Sequence, residues 1–172
     1  RAYLRAYAQQ SADLGEIFFL LNNALASDLE QGRYATLIFC FLHPNSGTLV
    51  YANAGHPPGY ILDSAGATKQ VLESTDIPLG FLPNHKFVYS DPIVLQPGDI
   101  LALLTDGVVD AEKPDQSWFG IESALKCIHE QREESSQEII RKLFRTVREY
   151  SNGLPQVDDI TAVICKVTGE RT

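Results

Sequence analysis

Apolar residues set two different rhythms along the chain. Leu14, Ile17, Phe18, Leu21, Leu25 and Leu29 recur at three- and four-residue steps, which predicts a helix over 13–29 with one buried face, ending near Gly32. Upstream, Leu4 and Ala8 with Tyr3 and Tyr7 predict the last turns of another helix over 1–9, and Ser11 offers a cap. The period then shortens. Two β-rich runs, 35–43 and 48–53, flank Pro44-Asn45-Ser46-Gly47, whose Pro, Asn and Gly suit a tight reversal, so a hairpin is expected. In the same way 59–63 and 70–72 flank Ser64-Ala65-Gly66-Ala67, and 86–95 leads through Gln96-Pro97-Gly98-Asp99 into 100–105. Helical spacing returns over 117–131 and 135–150, the latter with Ile139, Ile140, Leu143, Phe144 and Val147 on one side. Asn152-Gly153-Leu154-Pro155 stops it, and 160–167 reads as a final apolar strand inside a sheet rather than at its edge.

Strands grouped together and helices grouped together, with turns too short for crossovers, predict an α+β fold of helices on a largely antiparallel sheet. At 172 residues the chain fits one domain, 1–172. Hydrophobic residues are 44% and charged residues 21%, an ordinary globular balance without repeats or linkers. Fourteen Lys plus Arg against 22 Asp plus Glu give a net charge of −8, which disfavours nucleic acid or an anionic membrane surface and suits cationic partners, metal ions included. The longest apolar stretch, Ala35 to Leu42, is too short for a bilayer, and no signal-peptide pattern opens the chain, so a cytoplasmic domain without membrane contact is expected. Cys40, Cys127 and Cys165 are widely spaced in apolar runs and read as reduced core thiols. The absence of any Met predicts that the sequence is part of a longer chain, with room upstream for a sensor domain.

The candidate chemistry lies at strand ends. Leu101–Leu104 delivers Thr105-Asp106-Gly107, a carboxylate followed by a residue that lets the backbone turn sharply and approach a ligand. Val157-Asp158-Asp159-Ile160-Thr161 mirrors it, with two carboxylates just before an apolar strand. If the two strands are neighbours, Asp106 and Asp158 converge although 52 residues separate them, and converging carboxylates either take up a proton or hold a hard cation such as Mg²⁺ or Mn²⁺. Spacing alone equally allows ordinary turn and cap roles for both. The third stretch is Tyr51-Ala52-Asn53-Ala54-Gly55-His56-Pro57-Pro58, where Gly and two prolines predict a rigid corner with His56 at its tip, either a solvated imidazole or a ligand for an anion, metal or proton. Asp76, Asp91, Asp110 and Asp115 read as solvated loop acids.

Taken together, Asn53-Ala54-Gly55-His56-Pro57-Pro58, Leu95-Gln96-Pro97-Gly98-Asp99 running into Leu104-Thr105-Asp106-Gly107-Val108, Phe119-Gly120 and Asp158-Asp159-Ile160-Thr161 resemble the bacterial PP2C-like serine phosphatases of the sporulation and sigma-factor-regulating type. The resemblance spans almost the whole chain. It implies an αββα sandwich of two mainly antiparallel β-sheets flanked by helices, with a site for two divalent cations, Mn²⁺ or Mg²⁺. In such a site a metal-activated water attacks a phosphoserine or phosphothreonine in line. Position by position it implies Asp106 and Asp158 as metal ligands, Gly107 and Asp159 as neighbours of the site, and His56 where eukaryotic relatives place an acid.

The resemblance also implies a Gly-Asp segment and an Asp-x-x-Gly-x-Gly segment upstream, and neither occurs in these 172 residues. The chain is therefore expected to lack the N-terminal strands of that fold and part of the metal site, to bind metal poorly and to show little turnover by itself. For the parent protein, the expected substrate is a phosphoserine on a regulatory partner such as a STAS-type anti-anti-sigma factor. The alternative is a non-catalytic, partner-binding module on a phosphatase-like fold.

Overall fold

The computed structural model describes residues 1–30, 32–156 and 158–169. In chain order its elements are α1 (Ala2–Gln10), α2 (Leu14–Asp28), β1 (Leu37–His43), β2 (Thr48–Ala54), β3 (Gly59–Leu62), β4 (Thr68–Leu72), β5 (Ile93–Val94), β6 (Ile100–Leu104), α3 (Asp106–Val109), α4 (Gly120–Glu130), α5 (Ser136–Tyr150) and β7 (Ala162–Lys166). The chain divides into two compact units, one of residues 1–56 and 72–95, the other of 57–71 and 96–172.

In the first unit, α2 starts where Asp13 Oδ1 accepts the Glu16 N–H at 2.9 Å. The cap is thus Asp13 and not Ser11, whose hydroxyl accepts the Asp13 N–H instead, because a carboxylate two residues nearer the first turn reaches the orphan amide. The face predicted from the periodicity is the buried one. Leu14, Ile17, Phe18 and Leu21 pack with Ala52, Ala54, Leu79 and Phe87, and burial of each large side chain contributes roughly 1.5–3 kcal/mol. The helix stops at Asp28, short of Gly32, where the Leu29 N–H closes the last turn on Leu25.

The sheet of this unit runs β1-β2-β5, antiparallel, in register from Leu37↔Ala54 to His43↔Thr48, and Gly47 N–H closes the hairpin on the His43 carbonyl. The strand expected over 86–95 shrinks to the two residues of β5. Pro92 offers no N–H, and the Val88 N–H is taken by the Asp76 carboxylate, so outside β5 the run meets the β1–β2 hairpin only at separate points, Ser90 N–H on the Tyr51 carbonyl and Leu95 N–H on the Gly47 carbonyl. Nor is 86–105 a hairpin, since β5 pairs with β2 while β6 belongs to the other sheet.

The second unit holds the sheet β4-β3-β6-β7. β6 lies between β3 and β7, pairing Tyr60↔Ala102 on one side and Leu104↔Ala162 on the other, and both its faces are covered, with Leu101, Ala102 and Leu104 buried and Leu103 half-buried, which is why Leu101-Ala102-Leu103-Leu104 is apolar without interruption. β7, expected inside a sheet, is an outermost strand of this one among the described residues. Its Val163 is 50% exposed and only Ile164 is buried, so the apolar run reflects packing of one face under α5, through Ile139, Leu143 and Val147. Ser135 caps α5 by accepting the Glu138 N–H at 3.2 Å. Asp99 is 2% exposed and accepts from Lys69 Nζ at 2.5 Å and from the Gln96 N–H at 2.8 Å, which locks the Pro97-Gly98 turn that launches β6. The three cysteines are free thiols, Cys127 buried and the other two half-buried. Among the described residues no helix is long and apolar enough to cross a membrane.

Candidate functional site

β6 ends at Leu104, and the chain enters a single helical turn at Asp106 rather than the hairpin turn that Asp-Gly also allowed. Thr105 holds this exit. Its backbone N–H donates to the Thr161 carbonyl at 3.0 Å, its hydroxyl donates to the Asp159 carbonyl at 3.0 Å, and the Thr161 N–H returns a bond to that hydroxyl at 2.9 Å. Since β6 and β7 are hydrogen-bonded neighbours, the segment after one and the segment before the other are clasped together. Gly107 is required by this closeness: a Cβ there would lie 2.5 Å from the Asp159 carbonyl oxygen and 3.1 Å from that of Asp158.

The carboxylates of Asp106 and Asp158 are exposed, and each is oriented by the amide that follows it. Gly107 N–H donates to Asp106 Oδ1 at 2.9 Å, and Asp159 N–H donates to Asp158 Oδ1 at 2.7 Å. Gln156 Nε2 fixes the backbone next to them by donating to the Asp158 carbonyl. Asp159 is exposed and contributes its carbonyl to the clasp; Val157, which opens the motif, lies outside the described residues. Exposed carboxylate oxygens are the donors that hard divalent cations take, so the chemistry of this pair fits Mg²⁺ or Mn²⁺. Among the described residues no group of three His, Cys, Asp or Glu is gathered to hold a metal ion, so two acids would leave most of a six-oxygen shell to water or to other ligands. Gly107 and Asp158 also line a cleft of about 440 Å³, together with Val147, Arg148, Leu154 and Ile160.

The corner around His56 has a different construction. Asn53, fully buried, accepts the His56 N–H on its Oδ1 at 2.9 Å and donates from Nδ2 to the His56 carbonyl at 3.0 Å and to the Leu72 carbonyl at 3.3 Å. Gly55 sits at φ +69°, where a Cβ would strike the Pro78 ring at 2.7 Å. His56 is half-buried in the first unit, whereas Asp106 and Asp158 are in the second.

A family model for Stage II sporulation protein E (SpoIIE) matches residues 1–168. The chain belongs to this family. Within reach of the SpoIIE family it is 33% identical over 145 residues to Protein IcfG of Synechocystis, covering 84% of this chain and 22% of that protein. It is 33% identical over 90 residues to Phosphoserine phosphatase RsbP of Bacillus subtilis, covering 52% of this chain and 22% of RsbP. The chain thus spans about a fifth of the length of the curated relatives it matches. Its fold is that of PP2C phosphatases. The SiaA-PP2C domain of Pseudomonas aeruginosa superimposes with a TM-score of 0.81 at 20% identity, over 96% of this chain and 66% of that one. The PP2C phosphatase domain and regulatory fragment of SpoIIE from Bacillus subtilis gives 0.81 at 17% identity, over 96% and 48%.

Of three residues that organise this SpoIIE-family chain, two escape a reading of sequence alone. Asn53 is one of the corner's letters, but nothing in its spacing says that the amide is buried. Asp76, expected to be solvated, accepts from the Ile77 N–H at 2.8 Å and the Val88 N–H at 3.0 Å and pairs with His85 Nε2 at 2.6 Å. Its partners lie up to twelve residues away, beyond the range of local patterning. Asp99 is different, because its place after Pro97-Gly98 is a turn signal that marks it.

Proposed function

We propose that this chain is part of a metal-dependent protein serine/threonine phosphatase that removes phosphate from a phosphoserine on a regulatory protein partner. The observation that carries the reading is the clasp of Thr105 with Asp159 and Thr161, which ties together the two segments that bear the exposed, backbone-oriented carboxylates of Asp106 and Asp158, on the fold of PP2C phosphatases. The family model spans both compact units, which supports reading 1–172 as one phosphatase domain. RsbP, described as a phosphoserine phosphatase, supports the choice of phosphoserine, and a STAS-type anti-anti-sigma factor is the partner class that the resemblance favours.

In this reading Asp106 and Asp158 supply carboxylate oxygens to Mn²⁺ or Mg²⁺. A bound divalent ion lowers the pKa of water and offsets charge on a phosphoryl group. The chain's own residues prepare the place. Thr105 ties the exit of β6 to the entry of β7, Gly107 lets the Asp159 carbonyl close in, and the Gly107 and Asp159 amides orient the two carboxylates before any ligand arrives. Preorganisation of this kind removes a cost that a mobile pair of acids would incur on binding. Two acids are few for two hard cations, so the isolated 172-residue chain is expected to bind Mn²⁺ weakly and to turn over little.

The test is Mn²⁺-dependent phosphate release from a phosphoserine protein by the intact parent protein and, separately, by the 172-residue chain. Turnover by the parent that chelation abolishes supports the reading. A parent that binds its partner without releasing phosphate supports a binding module instead. Tight stoichiometric Mn²⁺ uptake by the isolated chain would contradict the expectation for the fragment.

A further inference from the structure

The cleft beside the two acids has a composition that the phosphate chemistry does not call for. Its walls are mostly apolar, from Val147 on α5, Leu154 in the loop that follows, Ile160 just before β7 and Ala111 after α3. At about 440 Å³ it falls in the size range of pockets that bury a small organic group or a few side chains. Leu154 is 42% exposed although it lines this hollow, so its side chain is available to an entering group rather than sealed in the core. A phosphate, small and fully charged, has no use for such walls.

The charges at its rim narrow the occupant further. Asp110, Glu112 and Asp158 all line the cleft, and they oppose an acidic side chain. The lone cation is Arg148, exposed on the last turn of α5. Among the described residues no carboxylate pairs with it, whereas Arg141 and Arg145 on the same helix are paired with Glu138 and Glu149. A guanidinium carries five donors and no acceptor, so an unpaired one at the mouth of an apolar cleft suits the main-chain carbonyls that an extended polypeptide brings with it.

The cleft also reaches the acids, because Asp158 lines it together with Gly107, the residue that follows Asp106. A phosphoserine at the acids therefore brings its immediate sequence neighbours to the cleft. We propose that this cleft is the subsite for an apolar side chain next to the phosphoserine, with Val147, Leu154 and Ile160 receiving that side chain and Arg148 positioning the substrate's main chain. This rests on the phosphatase reading above and extends it to substrate selection. The substrate class is then a phosphoserine segment with Leu-like rather than acidic neighbours.

The experiment uses the intact parent protein with Mn²⁺ and two kinds of probe. One is p-nitrophenyl phosphate, which has no flanking residues. The other is a set of peptides Ala-Ala-Xaa-phosphoserine-Xaa-Ala-Ala with Xaa as Leu, Ala, Lys or Glu. Leu-flanked peptide is expected to exceed Ala-flanked peptide by about tenfold in kcat/KM, within the range that a hydrophobic pocket discriminates, with Glu-flanked peptide the poorest. Leu154→Ala and Leu154→Glu, at a half-exposed position that the core does not need, should bring the Leu-to-Ala ratio towards one. Arg148→Gln should raise KM for all four peptides alike. Turnover of p-nitrophenyl phosphate with a flat peptide profile, a profile led by Lys or Glu, or a Leu-to-Ala ratio that survives both Leu154 variants overturns the subsite while leaving the phosphatase reading standing. Failure to turn over p-nitrophenyl phosphate and every peptide removes the phosphatase reading, and the subsite with it.

Discussion

Asp76 and Asp99 on one side, and Asp106 and Asp158 on the other, are four aspartates beside turns, and what surrounds them separates them into two kinds. Asp76 is surrounded by the Ile77 and Val88 amides and the His85 ring, and Asp99 by Lys69 and the Gln96 amide. Their oxygens are consumed in tying loops to the body of their unit. Asp106 and Asp158 each accept, among the described residues, one side-chain hydrogen bond, from the next residue's amide, and both are exposed. An acid whose bonds are complete stabilises a fold; an acid that is oriented and left with lone pairs towards solvent is equipped for a ligand. Removal should therefore cost stability in the first kind and activity in the second.

The largest expected effect is on catalysis. Asp106→Asn or Asp158→Asn in the intact parent protein should lower Mn²⁺-dependent phosphate release by about a hundredfold or more, since each removes a charged oxygen ligand, while the melting temperature stays within a degree or two. Nearly full activity in either variant, or a melt that collapses, would move that acid into the structural class.

Next comes the converse experiment. Asp76→Ala leaves the part-buried Ile77 amide and His85 ring, and the exposed Val88 amide, without their shared acceptor, and the loss is about 1–3 kcal/mol because water reaches the Val88 amide. Urea denaturation should show a loss of that order. An unchanged midpoint would show that water replaces the carboxylate and that Asp76 is the solvated loop acid which the sequence suggests.

Why one kind of acid was legible and the other was not follows from the distance of their partners. Asp106 and Asp158 announce themselves because each stands at the end of an apolar strand, and strand ends are places a local pattern can find. The bonds of Asp76 reach across a loop whose course depends on Pro92 and on the short β5, so its burial is a tertiary fact. The same limit explains the strand expected over 86–95: its residues are β-prone, but the Val88 amide goes to the Asp76 carboxylate and Pro92 has no N–H, so the run meets β2 and its turn only at separate points, through Ser90, Leu95 and the short β5. It explains the outermost position of β7 among the described residues as well, since an apolar run reports a covered face and not a partner on both sides. The helices were the easiest to read, because the faces of α2 and α5 are written in spacing alone and depend least on where the chain goes afterwards.

A smaller effect is expected at Gly107, where the two kinds of role meet. Its missing side chain matters to the fold and to the site, since a Cβ would lie 2.5 Å from the Asp159 carbonyl oxygen, a backbone atom that cannot swing aside as the end of a flexible side chain would. Gly107→Ala should destabilise by about 1–3 kcal/mol through overpacking, with the melting temperature falling by about 2–4 °C for each kcal/mol. Because the clasp must open to admit the methyl group, the Mn²⁺ concentration needed for half-maximal activity should rise as well. A loss of stability without any change in the metal response would mean that the acids hold their places independently of the clasp.

The smallest effect tests an acid between the two kinds. Asp115 is exposed, yet Ser117 donates to its Oδ1 from both hydroxyl, at 2.6 Å, and amide, at 3.0 Å, and these bonds hold its carboxyl below the usual carboxylate range. A lowered folded-state pKa contributes stability that is present above the unfolded carboxyl's pKa and is lost as pH falls through the folded one. Ser117→Ala removes the hydroxyl donor, so the Asp115 titration followed by carboxyl-carbon NMR should move up towards the ordinary value. Any stability difference between the two proteins should exist at neutral pH and fade in acid. Being fully exposed, the pair is screened by solvent and salt, and the difference at neutral pH should be near the limit of detection. An Asp115 titration that does not move in Ser117→Ala would mean that the amide alone orients this carboxylate, which would place it with Asp106 and Asp158, each held by a single following amide.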